Sequence, residues 1–195
     1  MVITPKQVKN LTYLVVDDLY EPVELLQIKT ELNELLAYAQ SAEQTRSAND
    51  EKGVPAKTGT GLFLDRHYDD RTKSVILNLN RKLFCKEIVD SGAKLSQYFY
   101  TIGACTNDTT LVNFYGANEE YKRHRDFSCL TAVTFFSLGE IEGGDFEFPE
   151  VNAVVPFKEN RMVIFPGCAE HAAKQTQAKA GNYRVSMSQF LNYRC

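Results

Sequence analysis

Cys129-Leu130-Thr131-Ala132-Val133-Thr134-Phe135-Phe136-Ser137-Leu138 is a ten-residue run of mostly apolar, β-branched and aromatic side chains, closed by Gly139. A run of that length and composition reads as a strand. Working outward, the segments 110–115, 145–148, 153–157, 161–165 and 182–191 have the same texture and are separated by turn residues. Several short strands at this spacing predict an antiparallel sandwich or barrel rather than parallel β-α-β units.

Towards the N-terminus the pattern changes. Leu11 to Val16 reads as a short strand ending at Asp17-Asp18. From Pro22 to Ala42, Leu25, Ile28, Leu32, Leu35, Leu36 and Ala39 recur at helical spacing, with Glu24, Lys29, Glu31 and Glu34 off that face. Ser47 to Gly61 is polar and carries Gly53, Pro55, Gly59 and Gly61, so it reads as a mobile loop. A second helix is expected after Asn80, turning Leu83, Phe84, Ile88, Leu95 and Tyr98 inward. The expectation is one domain, 1–195, mainly β with flanking helices: a helical part over about 1–100 and a β core over about 101–195.

The 195 residues are 44% hydrophobic and 24% charged, which excludes a disordered or collagen-like chain. With 22 basic and 25 acidic side chains the net charge is −3, so no nucleic-acid partner is expected. No apolar run approaches the roughly 20 residues that span a bilayer, so no membrane partner is expected either. The first ten residues show no apolar signal core. Cys85, Cys105, Cys129, Cys168 and Cys195 are odd in number and contain no Cys-x-x-Cys, the usage of a reduced, cytoplasmic protein.

Chemistry concentrates around two of the three histidines. His124-Arg125-Asp126 enters the β-rich half, and His171 follows the expected strand Arg161–Phe165 and the turn Pro166-Gly167. Two imidazoles and one carboxylate on one face of an octahedron are the protein ligands of non-haem Fe(II) oxygenases. On a strand, His124 and Asp126 would point the same way and share a metal, with His171 closing the site from another strand. A His-x-Asp triplet also arises by chance, and an ordinary exposed pair with a separate loop histidine stands beside the metal reading. Strict alternation in Tyr183-Arg184-Val185-Ser186-Met187-Ser188 puts Arg184, Ser186 and Ser188 on one face. Facing inward, Arg184 requires an anion; facing outward, it is an ordinary solvated strand arginine.

Taken in order, Phe114-Tyr115-Gly116, Tyr121 through Asp126, Gly143-Gly144-Asp145-Phe146, His171 and Arg184-Val185-Ser186 resemble the 2-oxoglutarate- and Fe(II)-dependent dioxygenases, most closely the prolyl-4-hydroxylase-like branch. Leu14-Val15-Val16-Asp17 and Gly61-Leu62-Phe63-Leu64-Asp65 look like that branch too. The resemblance implies a double-stranded β-helix of jelly-roll or cupin-like form, packed by N-terminal helices. It implies that His124, Asp126 and His171 hold Fe(II), that Arg184 takes the distal carboxylate of 2-oxoglutarate with Ser186 beside it, and that Tyr115 also reaches this cosubstrate. No catalytic residue beyond the metal centre is implied. A tyrosine that some relatives carry on the strand after the triplet is missing from Thr131–Phe136. The implied reaction consumes 2-oxoglutarate and O2, releases succinate and carbon dioxide, and hydroxylates a prolyl or other peptidyl residue, with ascorbate a further candidate cofactor. The same chemistry on a free amino acid or small metabolite, or a catalytically silent binding module, are the alternatives.

Six other features lie outside this constellation, and the first two have two readings each. Lys122, Arg123 and Arg125 are a solvated strand edge or an attraction for an anionic or polypeptide substrate. The 47–61 loop is a lid or a surface excursion. His67 lacks a partner histidine at ligand spacing and reads as a surface turn. Cys129 and Cys168 read as small buried hydrophobes, Phe127, Phe135, Phe136 and Phe165 as core, and Gly143-Gly144 as a tight turn.

Overall fold

A computed structural model describes residues 1–50, 52–105 and 107–193, so Cys195 lies outside the described residues. The chain opens with a hairpin of β1 (Val2–Val8) and β2 (Leu11–Asp17), then α1 (Pro22–Leu35) and β3 (Thr60–Phe63). Four short helices follow: α2 (Leu64–His67), α3 (Val75–Leu79), α4 (Lys86–Leu95) and α5 (Thr101–Ala104). The remainder is β4 (Asn107–Tyr115), β5 (Tyr121–His124), β6 (Leu130–Leu138), β7 (Ile141–Gly143), β8 (Phe146–Phe148), β9 (Ala153–Val155), β10 (Arg161–Pro166), β11 (His171–Ala173), β12 (Thr176–Ala178) and β13 (Tyr183–Asn192).

All the pairings are antiparallel. The large sheet runs β1-β2-β10-β6-β13-β4-β3, the smaller β5-β11-β8-β9, with β12-β7 as a two-stranded flap. This is the double-stranded β-helix. The period-two pattern of the large sheet sorts its side chains into two cores. Leu14, Val16, Ile164, Phe136, Val185 and Met187 face the helices, together with Ile28, Leu32 and Ile88. Tyr13, Val15, Val163, Val133 and Phe135 face the small sheet and meet Phe146, Phe148 and Val155.

The seven expected strands are present, but the sequence reading differs from the fold in the helices. Pro22 at the first turn and a reciprocal Glu21–Glu24 capping box start α1. It ends at Leu35 rather than Ala42, because after a single turn, Leu36–Tyr38, Ala39 is extended and Gln40 pairs with Gly61 at the sheet edge. Glu31, expected off the packed face, is buried and accepts hydrogen bonds from Ser74 Oγ (2.6 Å) and Ile76 N–H (2.8 Å), capping α3. The helix after Asn80 is broken at Cys85 and Ser96, both extended. That shifts the register, so Phe99 is buried where Tyr98 was expected, and Tyr98 is exposed.

Candidate metal centre

His124 and His171 are direct cross-strand partners on β5 and β11, with ring centroids 4.2 Å apart. Asp126 does not share a strand face with His124, since β5 ends at His124. It reaches the site through the following turn, fastened by its N–H to the Gly167 carbonyl at 2.9 Å. Asp126 Oδ1 lies 3.8 Å from His124 Nε2 and Oδ2 3.5 Å from His171 Nε2. One ligand atom from each of the three residues lies within 4.8 Å of the other two.

Hydrogen bonding fixes which nitrogens face inward. His124 Nδ1 lies 2.8 Å from the Lys122 carbonyl and His171 Nδ1 3.0 Å from the Ala169 carbonyl. A carbonyl only accepts, so each Nδ1 carries the proton and each Nε2 presents a lone pair to the centre. Thr131 Oγ1 donates to Asp126 Oδ2 at 2.6 Å and is itself 2.7 Å from Ser128 Oγ. Tyr121 stacks on His124 with centroids 3.6 Å apart, and its hydroxyl accepts the Ala48 N–H. The residues fit a divalent metal: two neutral imidazoles and a carboxylate, each held in place by a second bond.

Burial pushes both imidazole pKa values down to about 4, with the neighbouring His171 adding to the effect on His124. Burial holds the Asp126 carboxyl above its usual range. Between about pH 6.5 and 4 the unfolded chain binds more protons at these histidines than the folded chain does. The two histidines therefore make the metal-free protein less stable as pH drops through that window, at about 1.4 kcal/mol per pKa unit, and Asp126, whose raised carboxyl protonates earlier in the folded chain, offsets part of the loss. Tm measured against pH should decline less steeply for His171→Gln than for the wild type; parallel curves would contradict this.

The large sheet supplies the opposite wall. Ser137, Arg184 and Tyr115 lie in one cross-strand row, and Phe135, Ser186 and Asn113 in the next. Arg184 is 1% exposed, and its Nε, Nη1 and Nη2 have no hydrogen-bond partner among the described residues. The guanidinium lies 5.2 Å from the Tyr115 ring centroid and 5.1 Å from that of Phe135. Burial pulls its pKa down to about 10, against attraction from Tyr115 and Asp145. The outward alternative for Arg184 does not hold. Tyr115 and Ser186 are buried beside it, and burial raises the Tyr115 phenol pKa. A buried cation with three unmade donor groups fits a carboxylate ligand.

Both walls border a cavity of about 310 Å³ that contains the triad, Tyr115, Arg184 and Ser186. Thr45–Ala48 close one side, so the segment entering the 47–61 loop borders the site. Phe135, Phe136 and Phe165 are core, whereas Phe127 is fully exposed on the cavity rim, because the Asp126 turn carries it away from the sheet. Cys168 is exposed and Cys129 half-buried, so neither is the small buried hydrophobe expected. Arg125 is engaged by Glu150 at 2.7 Å, while Lys122 and Arg123 are exposed on β5. His67 is an exposed side chain between Tyr38 and Tyr68. Gly143-Gly144 does turn the chain, with φ of +69° and +72°, but a Cβ on Gly144 would sit 2.7 Å from Arg184 Cδ.

Two further residues, Asn113 and Lys57, frame the site. Lys57 is 2% exposed and donates to Asn113 Oδ1 (2.8 Å) and Thr45 Oγ1 (2.9 Å). Asn113 was accessible by period two from Tyr115; Lys57 sits in a polar loop that gives no such signal.

Residues 110–192 match the model of the 2OG-Fe(II) oxygenase superfamily. No curated protein matches the chain. Among solved structures, a prolyl-4-hydroxylase of Pseudomonas putida is similar at TM-score 0.57 and 11% identity, over 94% of this chain and 93% of that one. A viral collagen prolyl hydroxylase of Paramecium bursaria chlorella virus 1, in complex with 2OG, gives 0.55 and 12% over 92% and 96%. A Trichoplax adhaerens prolyl hydroxylase, in complex with a hypoxia inducible factor peptide fragment, gives 0.60 and 16% over 92% and 83%. No helix among the described residues is long and apolar enough to cross a membrane.

Proposed function

With residues 110–192 matching the model of the 2OG-Fe(II) oxygenase superfamily, we propose that the whole chain works as one domain that couples oxidative decarboxylation of 2-oxoglutarate to hydroxylation of a substrate. The observation that carries this reading is the buried, unpartnered Arg184 in the same cavity as the His124–Asp126–His171 cluster. His124, Asp126 and His171 would hold Fe(II) through the two Nε2 atoms and the carboxylate. Bound iron(II) supplies the O2 chemistry that converts 2-oxoglutarate to succinate and carbon dioxide and oxidises a substrate C–H bond.

The protein's part is positional. Lys122 and Ala169 carbonyls keep the Nδ1 protons away from the metal side, and Thr131 steadies Asp126. Arg184 receives the distal carboxylate of 2-oxoglutarate, with Tyr115 and Ser186 beside it. Phe146 and Val133 on the lining exclude water. O2 is the second cosubstrate, and ascorbate would sustain the ferrous state. The substrate is a prolyl or other peptidyl residue by likeness to the prolyl hydroxylases; a free amino acid or small metabolite is the second reading, favoured by unpaired positive charge at the cavity.

The test is succinate formation by anaerobically iron-loaded protein given 2-oxoglutarate and then air, with and without proline-rich peptides. O2-dependent succinate supports the oxygenase; peptide stimulation supports the prolyl branch. Bound Fe(II) and 2-oxoglutarate without succinate would sink the enzyme reading. Gly144→Ala should destabilise the protein by about 1–3 kcal/mol and weaken 2-oxoglutarate binding, because its methyl group displaces Arg184 Cδ. Thermal unfolding and a 2-oxoglutarate titration check both; unchanged affinity would separate Gly144 from the Arg184 pocket.

A further inference from the structure

We propose that the primary substrate carries a carboxylate, and that Arg46 receives it at the cavity wall. The proposal rests on the oxygenase reading and adds the substrate class to it. The charged side chains on the cavity are Arg46, Arg125, Arg184 and Asp126. Arg125 is neutralised by Glu150. The charges of a divalent metal with Asp126 and of 2-oxoglutarate with Arg184 cancel one another. Arg46 is left over, exposed and without an ion-pair partner among the described residues. Behind the wall, the buried Lys57 ammonium likewise has no carboxylate and bonds only neutral oxygens. A site already neutral with its cofactors, yet flanked by two uncompensated cations, favours an anion as its third occupant.

The backbone shows how Arg46 is presented. Ser47 N–H donates to the Ala42 carbonyl and Arg46 N–H to the Glu43 carbonyl, both at 3.0 Å. These are the two bonds of a Schellman turn, and they place Arg46 at the left-handed position that glycine ordinarily occupies. Its φ is +51°, a strained conformation for an arginine. The turn is pinned from beneath by Lys57, which bonds Thr45 on one side and Asn113 of β4 on the other. Gly61 makes room for this pin, since a Cβ there would sit 2.9 Å from Lys57 Nζ and 2.7 Å from Asn113 Oδ1. The turn is thus tied to the sheet that carries Arg184, and an arginine stands on the cavity lining where a glycine would relieve the backbone. A guanidinium recognises a carboxylate through two parallel N–H donors.

The test is calorimetric binding to anaerobic protein loaded with Fe(II) and 2-oxoglutarate. The probes are the free L-amino acids against their primary amides, and proline-rich peptides with free against amidated C-termini. Wild type is expected to bind acids at least tenfold tighter than the matching amides. Arg46→Gln and Arg46→Gly should bring that preference to within about twofold, and Arg46→Lys should retain part of it. Glycine suits φ +51°, so Arg46→Gly keeps the wild-type Tm or exceeds it, and its loss of preference is not misfolding. Discrimination among free amino acids assigns the carboxylate to a small molecule; discrimination only among peptides assigns it to a chain terminus, and both support the proposal. Equal binding of acids and amides, no binding of any acid, or an acid preference surviving in Arg46→Gln overturns it. Protein that takes up neither Fe(II) nor 2-oxoglutarate fails the oxygenase reading, and this proposal with it.

Discussion

Arg184→Met is expected to lower 2-oxoglutarate affinity at least about 30-fold while leaving the ligand-free protein as stable as wild type, or more so. The two halves have one cause. In the ligand-free protein a guanidinium is 1% exposed, rests among Tyr115, Phe135 and Phe157, and leaves all three of its nitrogens without a hydrogen-bond acceptor. A buried charge without a partner costs free energy that a flexible apolar side chain of similar length does not. When a carboxylate arrives, the same desolvation strengthens each N–H···O bond. Truncating one partner of such a buried pair costs about 2–5 kcal/mol, a factor of roughly 30 to several thousand.

The measurement is Tm with and without 2-oxoglutarate in metal-loaded protein. At about 100 times Kd, ligand binding stabilises the wild type by roughly 2.7 kcal/mol. For a protein of this size that is a shift of roughly 5–10 °C. Arg184→Met should show at most about a third of that shift at the same concentration, from an equal or higher starting Tm. A variant that unfolds well below wild type in the absence of ligand would mean that Arg184 is compensated in some other way. Undiminished ligand stabilisation would remove it from the cosubstrate pocket.

What could be read from sequence divides along physical lines. Strand composition and period two are local properties, so the runs 110–115, 129–138 and 182–191 declared themselves. The shared face of Arg184, Ser186 and Ser188 followed from the same rule. Which of two faces is the inner one depends on the opposite sheet, and no local pattern says so. Tyr121–His124 and His171–Ala173 are too short to carry a periodic signal, although they bring the two histidines opposite one another. His-x-Asp spacing predicts a strand for Asp126, whereas a turn held by Gly167 delivers it. Phe127 was read as core by composition alone, and the same turn exposes it. Lys57 was illegible for another reason: its burial comes from Asn113, far away in the chain, and polar loops seldom bury a lysine. Helix ends failed where tertiary pairing intervened, as at Gln40 with Gly61.

His171→Ala is expected to remove metal binding and O2-dependent succinate formation together. The loss should be far larger than that from changing any residue that merely steadies the site, where 10- to 100-fold is ordinary. On the proposed reading His171 is one of three protein donors, the cluster found among the described residues, and its Nε2 points at Asp126 from 3.5 Å. Without it, His124 and Asp126 present two ligand atoms on one side and nothing opposite. The ring is also packed, with centroids 4.7 Å from Phe165 and 5.4 Å from Phe146, so truncation opens a cavity and costs about 2–5 kcal/mol of stability. Lost activity alone would therefore be ambiguous. His171→Gln fills most of the space but lacks an imidazole donor, and its metal-free Tm should lie near that of the wild type. Titration with Fe(II), or with Mn(II) as an air-stable probe, should show affinity reduced at least a hundredfold in both variants and almost unaltered in Cys168→Ser, an exposed change outside the triad. Wild-type metal affinity in a folded His171→Gln protein would dismiss His171 as a ligand. Metal retained with succinate formation lost would move His171 from binding the ion to shaping the reaction around it.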